Sequence, residues 1–483
     1  MPCCIPSTPP KDGDINLFSR RNPRDNLTKL PPLPFLVPAV LETLLASDEF
    51  KDITEVVPGE ADIYCASEVN KRGGVVLTGD SDLLVYDLGQ KGSVVFLRDI
   101  EDQFDGLHSQ IYHPNDIADR LGLRKSLGLH ALAFEMKLDI HASLTQLLVR
   151  AKALETVLIP ADEFVEFRKE YALLPRPPLN RNKEPETLAV LKTLDPRISE
   201  FVLQYPSISA VTGQSPENDH VDAARHIFIP FLLDCPARTN AWETSMAVRQ
   251  LAYGLMNLVV PDDERRLSAF EHKRREGNSE GRELTLPDAT QIPGACLRLV
   301  YLLTSQIPTA LPQEDIWLAA AIYQDVEWSH YNSKTCLSQS FCHQATSLAP
   351  GSDLHWDILH LYAQIQGSYY SFRILKQILN LVLSQKSNYN LPKQVFELHN
   401  VLQTLPPLSS IQEATRVSSI LRIIKENGMV NVAQKLLGIS LPELPDWADK
   451  KAGKKKRKRN HEPVSTLGKQ AKPSNPFALL EME

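Results

Sequence analysis

Two neighbouring stretches decide how this chain is read. They are Val57-Pro58-Gly59-Glu60-Ala61-Asp62-Ile63-Tyr64-Cys65-Ala66 and Gly73-Gly74-Val75-Val76-Leu77-Thr78-Gly79-Asp80-Ser81-Asp82-Leu83-Leu84-Val85-Tyr86-Asp87. Val75 to Thr78 is a short apolar run without alternation, the pattern of a strand buried on both faces. A second such run covers Val94 to Leu97, after a turn at Gln90 to Gly92. Gly59 to Lys71 reads as a helix stopped by Gly73-Gly74. Upstream, Leu36 to Ser47 reads as a short helix, and the β-branched run Ile53 to Val57 as a strand. Strand, helix, strand in that order predicts an α/β fold around a parallel sheet.

In open parallel sheets, ligands bind beyond the carboxyl ends of the strands. Glu60 and Asp62 open the helix, and Asp80 and Asp82 follow the strand Val75 to Thr78, so the two pairs are expected to face one crevice. Four carboxylates so close repel one another. At about 4 Å each like-charge pair costs roughly 4 kcal/mol at an effective dielectric of ~20. A divalent cation relieves that cost, and hard oxygen donors without His or Cys favour Mg²⁺ or Mn²⁺ over zinc. The same residues also suit two ordinary helix starts, where acidic side chains cap the backbone and complement the dipole.

The rest of the chain fixes the setting. Of 483 residues, 43% are hydrophobic and 23% charged, as in an ordinary globular protein with room for two or three domains. No apolar run reaches the ~20 residues that span a bilayer, and the first residues lack the pattern of a secretory leader. Seven scattered cysteines without a C-x-x-C pair argue against a disulfide scaffold or zinc finger and for a reducing compartment. Charge is unevenly spread. Residues 450–472 hold ten Lys/Arg and one acidic residue, which leaves a net −14 on residues 1–449. An acidic body does not look like a broad nucleic-acid surface.

Beyond about Asn115, apolar positions recur at helical spacing, in Leu129 to Leu154, Ala161 to Leu174, Thr187 to Leu203, Val221 to Leu233, Ala241 to Val260, Ile316 to Trp328, Leu354 to Ser384 and Ile411 to Asn427. Pro175 to Pro185 and Glu276 to Pro293 read as loops. The expected organisation is a disordered segment over 1–34, an α/β part over 35–125, a helical region over 126–445 and a disordered basic tail over 446–483.

The two opening stretches resemble the internal region of the flap-endonuclease/XPG nucleases, whose pattern is E-A-E/D at a helix start and T-x-D-x-D after the next strand. The preceding run Leu30-Pro31-Pro32-Leu33-Pro34-Phe35-Leu36-Val37-Pro38 and the long helical remainder look most like the asteroid branch of that superfamily, as found in fungi. The specific likeness covers roughly residues 31–140.

The resemblance implies a PIN-like nuclease part that is incomplete, followed by a mostly helical extension. Position by position, Glu60 and Asp62 match the helix-start carboxylates, Asp80 and Asp82 match the strand-end pair, and Asp139 falls where the family has a carboxylate after a helix. It implies a Mg²⁺- or Mn²⁺-dependent, structure-specific nuclease acting on branched or single-stranded nucleic acid, with a link to DNA repair. Three departures bear on this. Asp12, Asp14 and Asp25 lie in Pro- and Arg-rich sequence without an apolar strand, so the N-terminal part of the nuclease fold is expected to be lost or missed at the start of this sequence. Ile140 to Leu147 lacks the glycines of the family's DNA-gripping turn. The body is acidic. An inactive PIN-like binding or scaffold module is therefore the alternative function.

Other signals are weighed against plainer readings. Gly79-Asp80-Ser81 with Asp357 and His360 has elements of a GDS-type serine esterase, but Asp82 stands where that motif has Leu, and His360 lies in a helical run. Lys454-Lys455-Lys456-Arg457-Lys458-Arg459 reads as a nuclear localisation signal for an import receptor, which predicts a nuclear protein. The plainer reading is a solvated basic tail. Asn475 to Leu480 reads as a docking motif or as self-packing. Cys336 and Cys342-His343 are poorly spaced for zinc, and Trp317, Trp328, Trp356, Tyr369 and Tyr370 read as core.

Overall fold

The computed structural model describes residues 34–123, 127–154, 162–173, 186–212, 224–235, 237–273, 281–344, 356–385, 390–411 and 417–442. The first helix, α1 (Leu36–Ala46), is followed by α2 (Asp62–Arg72), β1 (Gly74–Thr78), β2 (Gly92–Phe96), the short strands β3 (Glu101–Gln103) and β4 (Gly106–His108), and the helices α3 (Pro114–Leu121), α4 (His130–Leu138), α5 (Leu144–Leu154) and α6 (Asp162–Glu170).

Helix α2 carries Asp62 in its first turn and Lys71 and Arg72 in its last, charges that complement its dipole. It ends at Gly73, whose φ of 73° belongs to the left-handed region. Strands β1 and β2 pair in parallel, from Gly74 opposite Gly92 to Thr78 opposite Phe96. Residues 79–91 connect them, long enough for a parallel crossover, with one 3₁₀ turn at Asp82–Leu84. Ala66, Val76, Leu83, Tyr86, Leu88, Val94 and Phe96 form the core beneath, and Tyr171 packs on it from the end of α6. Val75 and Leu77, on the opposite face of β1, are 53% and 54% exposed, so among the described residues only one face of this strand is covered. β3 and β4 form a separate antiparallel hairpin. The run Ile53 to Val57, expected as a strand, closes a 3₁₀ turn at Ile53 and continues without strand pairing. Glu60 and Asp62 thus follow a loop, not a strand end.

The helical region continues with α7 (Glu186–Leu191), α8 (Pro196–Leu203), α9 (Pro206–Ser209), α10 (Met246–Leu255), α11 (Ile292–Tyr301), α12 (Ile316–Tyr331), α13 (Leu337–Gln344), α14 (Trp356–Ser384), α15 (Lys393–Leu402), α16 (Val417–Glu426) and α17 (Met429–Leu437). Helix α14 is buried along most of its 29 residues, and its apolar side chains join those of α10, α12, α15 and α17 in one core. Helix α1 belongs to this core. Phe35 is 2% exposed, stacks on Tyr370 at 4.6 Å and meets the Trp242 ring edge-on. Glu42 of α1 pairs with Arg373, which also grips Asp195 through two 2.7 Å bonds.

The helical region holds a three-stranded sheet that helical spacing did not predict. β5 (His226–Ile229) runs parallel to β6 (Ser268–Lys273), and β6 antiparallel to β7 (Arg282–Thr285). β5 replaces the helix expected over Val221 to Leu233. β7 lies within the stretch expected as a loop from Glu276 to Pro293. Ile227, Ile229, Ala269 and Leu284 face the core. So does Glu271, fully buried and held by Arg249 through bonds of 2.5 and 2.9 Å. Burial raises the Glu271 carboxyl, but the Arg249 guanidinium and Lys273 overrule it and hold it down to about 2.

Candidate functional site

Two anchored loops carry the four carboxylates. The Gly59 N–H donates to Ser199 Oγ of α8 at 2.8 Å, tying the loop before Glu60 to the helical region. Ala61 stands at the N-cap of α2, and its carbonyl accepts from the Tyr64 and Cys65 amides. At the end of β1 the Asp80 N–H donates to Thr78 Oγ1 at 3.0 Å, and the Asp82 N–H to Asp80 Oδ1 at 3.1 Å. Asp80 therefore bonds its own turn, in the manner of an Asx turn. Leu83, 1% exposed, pins that turn to the core.

The arrangement brings Glu60, Asp62, Asp80 and Asp82 into one electrostatic group. Burial, then the charges of Asp80, Glu60 and Asp82, pushes the Asp62 carboxyl up to about 6 from 3.8. Burial and Asp80 push Asp82 up as well. Two tyrosines that the sequence motifs do not single out stand close to this group. Burial and then Asp62, Tyr171, Glu60 and Asp82 drive the Tyr86 phenol far above its ordinary range. Burial and then Asp82, with Glu170, Asp80 and Asp62, push Tyr171 up to about 12. Their rings meet edge-on at 5.2 Å. Tyr86 lies four residues after Asp82, within the quoted stretch. Tyr171 is 89 positions beyond Asp82 and leaves no spacing signal.

All four donors are hard oxygens, the chemistry that suits Mg²⁺ or Mn²⁺. Among the described residues, no three His, Cys, Asp or Glu side chains stand in a group that could hold one ion. The group is therefore acidic but loosely gathered. Asp139 closes α4 and is engaged elsewhere. Arg150 Nη1 donates to it at 3.1 Å, and the His141 N–H at 3.2 Å, which together hold its carboxyl below the usual range.

The esterase elements have other partners. Asp357 pairs with Arg238 at 2.7 Å, and His360 Nδ1 accepts from the Cys235 N–H at 3.1 Å. Nothing supports an esterase. Cys336 is buried and bonded to Asp325 and Ser338. The His343 side chain lies outside the described residues, as do Asp12, Asp14, Asp25, Lys454 to Arg459 and Asn475 to Leu480.

A family model described as "XPG domain containing" matches residues 32–286, a span that takes in both the parallel pair and the three-stranded sheet. Asteroid homolog 1 of Schizosaccharomyces pombe is 26% identical over 211 residues, covering 42% of this chain and 37% of that protein. The chain thus matches well under two thirds of that relative's length. No solved structure matches.

Proposed function

The chain belongs to the XPG-domain-containing, asteroid-like family, and from that premise we propose that Glu60, Asp62, Asp80 and Asp82 form the cation-binding acidic site of a structure-specific nuclease. The observation that carries this reading is the placing of Glu60, Asp80 and Asp82 close enough around half-buried Asp62 that burial and then their charges push its carboxyl up. Such repulsion is costly in a fold that makes no use of it.

Bound Mg²⁺ or Mn²⁺ would polarise a scissile phosphate and lower the pKa of an attacking water. Asp80 and Asp82 would hold it from the β1 end, and Glu60 and Asp62 from the start of α2, once they draw in from a spacing at which no three of them could hold one ion. With its carboxyl pushed up to about 6, Asp62 would give up its proton on joining the ligand set. Tyr171 stays protonated at pH 7 and keeps a hydroxyl donor for a phosphate oxygen. The substrate is branched or single-stranded nucleic acid. Lys454 to Arg459 serve nuclear import and add salt-sensitive affinity for phosphates.

A second reading, a non-catalytic binding module, is favoured by the loose gathering of the ligands. The deciding experiment is cleavage of flap and single-stranded DNA and RNA, with Mg²⁺ or Mn²⁺, by the wild type and by Asp80→Asn/Asp82→Asn. Metal-dependent cleavage lost in the double variant supports the nuclease. Equal activity in both proteins, or none, leaves the binding module.

A further inference from the structure

Ser199 is a fully buried hydroxyl on a helix whose other buried side chains are apolar. Ile198, Phe201 and Val202 of α8 belong to the large helical core around it. A hydroxyl in such surroundings is costly unless it is bonded. Its Oγ accepts the Gly59 N–H at 2.8 Å, from a residue 140 positions away. Gly59 follows the buried Pro58 and has a φ of 74°, in the left-handed region that favours glycine. This turn leads the chain into Glu60 and the first turn of α2.

The two sides of that bond rest on different supports. The start of α8 is fixed to α14. The Asp195 N–H donates to Gln377 Oε1 at 2.8 Å, and the Asp195 carboxylate accepts from the Tyr370 hydroxyl at 2.9 Å and from Arg373. The Asp195 carbonyl in turn accepts the Ser199 N–H at 2.9 Å. Helix α2 packs on β1 through Ala66, in a separate and smaller core. Residues 54–59, which lead into α2, pair with no strand. An ion pair of Lys192 with Glu55 at 3.7 Å also joins this segment to the helical region, but Glu55 is exposed, and exposed pairs contribute little. The Ser199 hydroxyl is therefore a buried fixed point for the segment that ends in Glu60 and Asp62.

We infer that Ser199 is a positioning residue of the acidic site: through the Gly59 N–H it sets where Glu60 and Asp62 stand relative to Asp80 and Asp82. The inference rests on the cation-site reading proposed above. Asp80 and Asp82 sit in the turn after β1, which Leu83 pins to the smaller core. Glu60 and the entry to α2 are placed from the helical region instead. A cation that joins the two pairs draws on both supports. With the Ser199 bond made, Gly59 is a pivot with one end held. Without it, the segment has more freedom to lose on binding. The helical region is thereby part of the construction of the site.

The test compares four full chains: wild type, Ser199→Ala, Ser199→Thr, which keeps the hydroxyl, and Glu55→Gln, which removes the exposed ion pair. Circular dichroism and a melting curve establish folding, and amide exchange and Mn²⁺ calorimetry are measured on each. In Ser199→Ala, exchange is expected to quicken at Gly59 and at Tyr64 and Cys65, whose amides close the first turn of α2 on the Ala61 carbonyl. Exchange elsewhere stays as it was, and Mn²⁺ binds about fivefold more weakly, the equivalent of one ordinary hydrogen bond. Ser199→Thr restores both, and Glu55→Gln changes neither. Unchanged exchange at Tyr64 and Cys65 in folded Ser199→Ala overturns the inference, whether or not the wild type binds Mn²⁺. So does faster exchange throughout the chain, the mark of a merely structural role, or Mn²⁺ affinity equal to that of a wild type that binds it. Local exchange that quickens as expected, in a protein whose wild type binds no Mn²⁺, leaves the positioning of Glu60 and Asp62 standing and fails the cation-site reading alone.

Discussion

Asp62→Asn is expected to stabilise the protein at neutral pH and leave it unchanged in acid. The folded Asp62 carboxyl titrates at about 6, against 3.8 ordinarily. Its folded pKa is raised, so its favourable contribution is complete below about pH 3.8 and is lost as pH rises through 6. Roughly two pKa units correspond to about 3 kcal/mol as a ceiling. Asp62 is only half-buried, and solvent screening brings this to about 1.5 kcal/mol. Losing its interaction with the α2 N-terminus takes back about 0.5 kcal/mol. The net gain above pH 7 is therefore about 1 kcal/mol, or a melting temperature higher by about 1–2 °C in a chain of this size. Differential scanning calorimetry of both proteins at pH 4 and pH 8, without divalent ions, measures it. A variant that is equally or less stable at pH 8 would refute the repulsion on which the site rests.

Two further outcomes test the scaffold. Arg249→Met leaves the buried Glu271 carboxylate to Lys273 and the Tyr253 hydroxyl and should cost about 3 kcal/mol in a denaturant titration, far more than loss of an exposed pair such as Lys51 with Asp48. Gly92→Ala places a Cβ 2.2 Å from the Leu88 carbonyl oxygen and 2.8 Å from Val69 Cγ1. It should push the start of β2 away from Leu88 and α2 at a cost of about 2 kcal/mol or more, seen as faster amide exchange at Gly74, whose N–H donates to the Lys91 carbonyl beside Gly92.

What the sequence made legible follows from its physics. Val75 to Thr78 is β-branched at three of four positions, unalternated and bounded by Gly73-Gly74 and Gly79-Asp80, so strand, helix stop and turn all agree. The four carboxylates lie within 23 residues, where spacing carries information. Ile53 to Val57 has the same β-branched composition but no strand partner among the described residues. In His226-Ile227-Phe228-Ile229 the period of two lasts only four residues, too short to outweigh the helical apolar pattern around it. β7 buries one residue, Leu284, and its charged flanks look like a loop. Tyr171 reaches the four carboxylates through the packing of α6, which no local pattern encodes.

If the four carboxylates act as one divalent-cation site, Mn²⁺ binding and proton release occur together. Titrating Mn²⁺ by calorimetry at about pH 6.5, near the raised Asp62 pKa, in two buffers of different ionisation enthalpy, tests it most directly. Saturable binding with proton release from Asp62, lost in Asp80→Asn/Asp82→Asn, is the expected result. Binding of equal strength and proton stoichiometry in that variant, or no binding by the wild type, would contradict it.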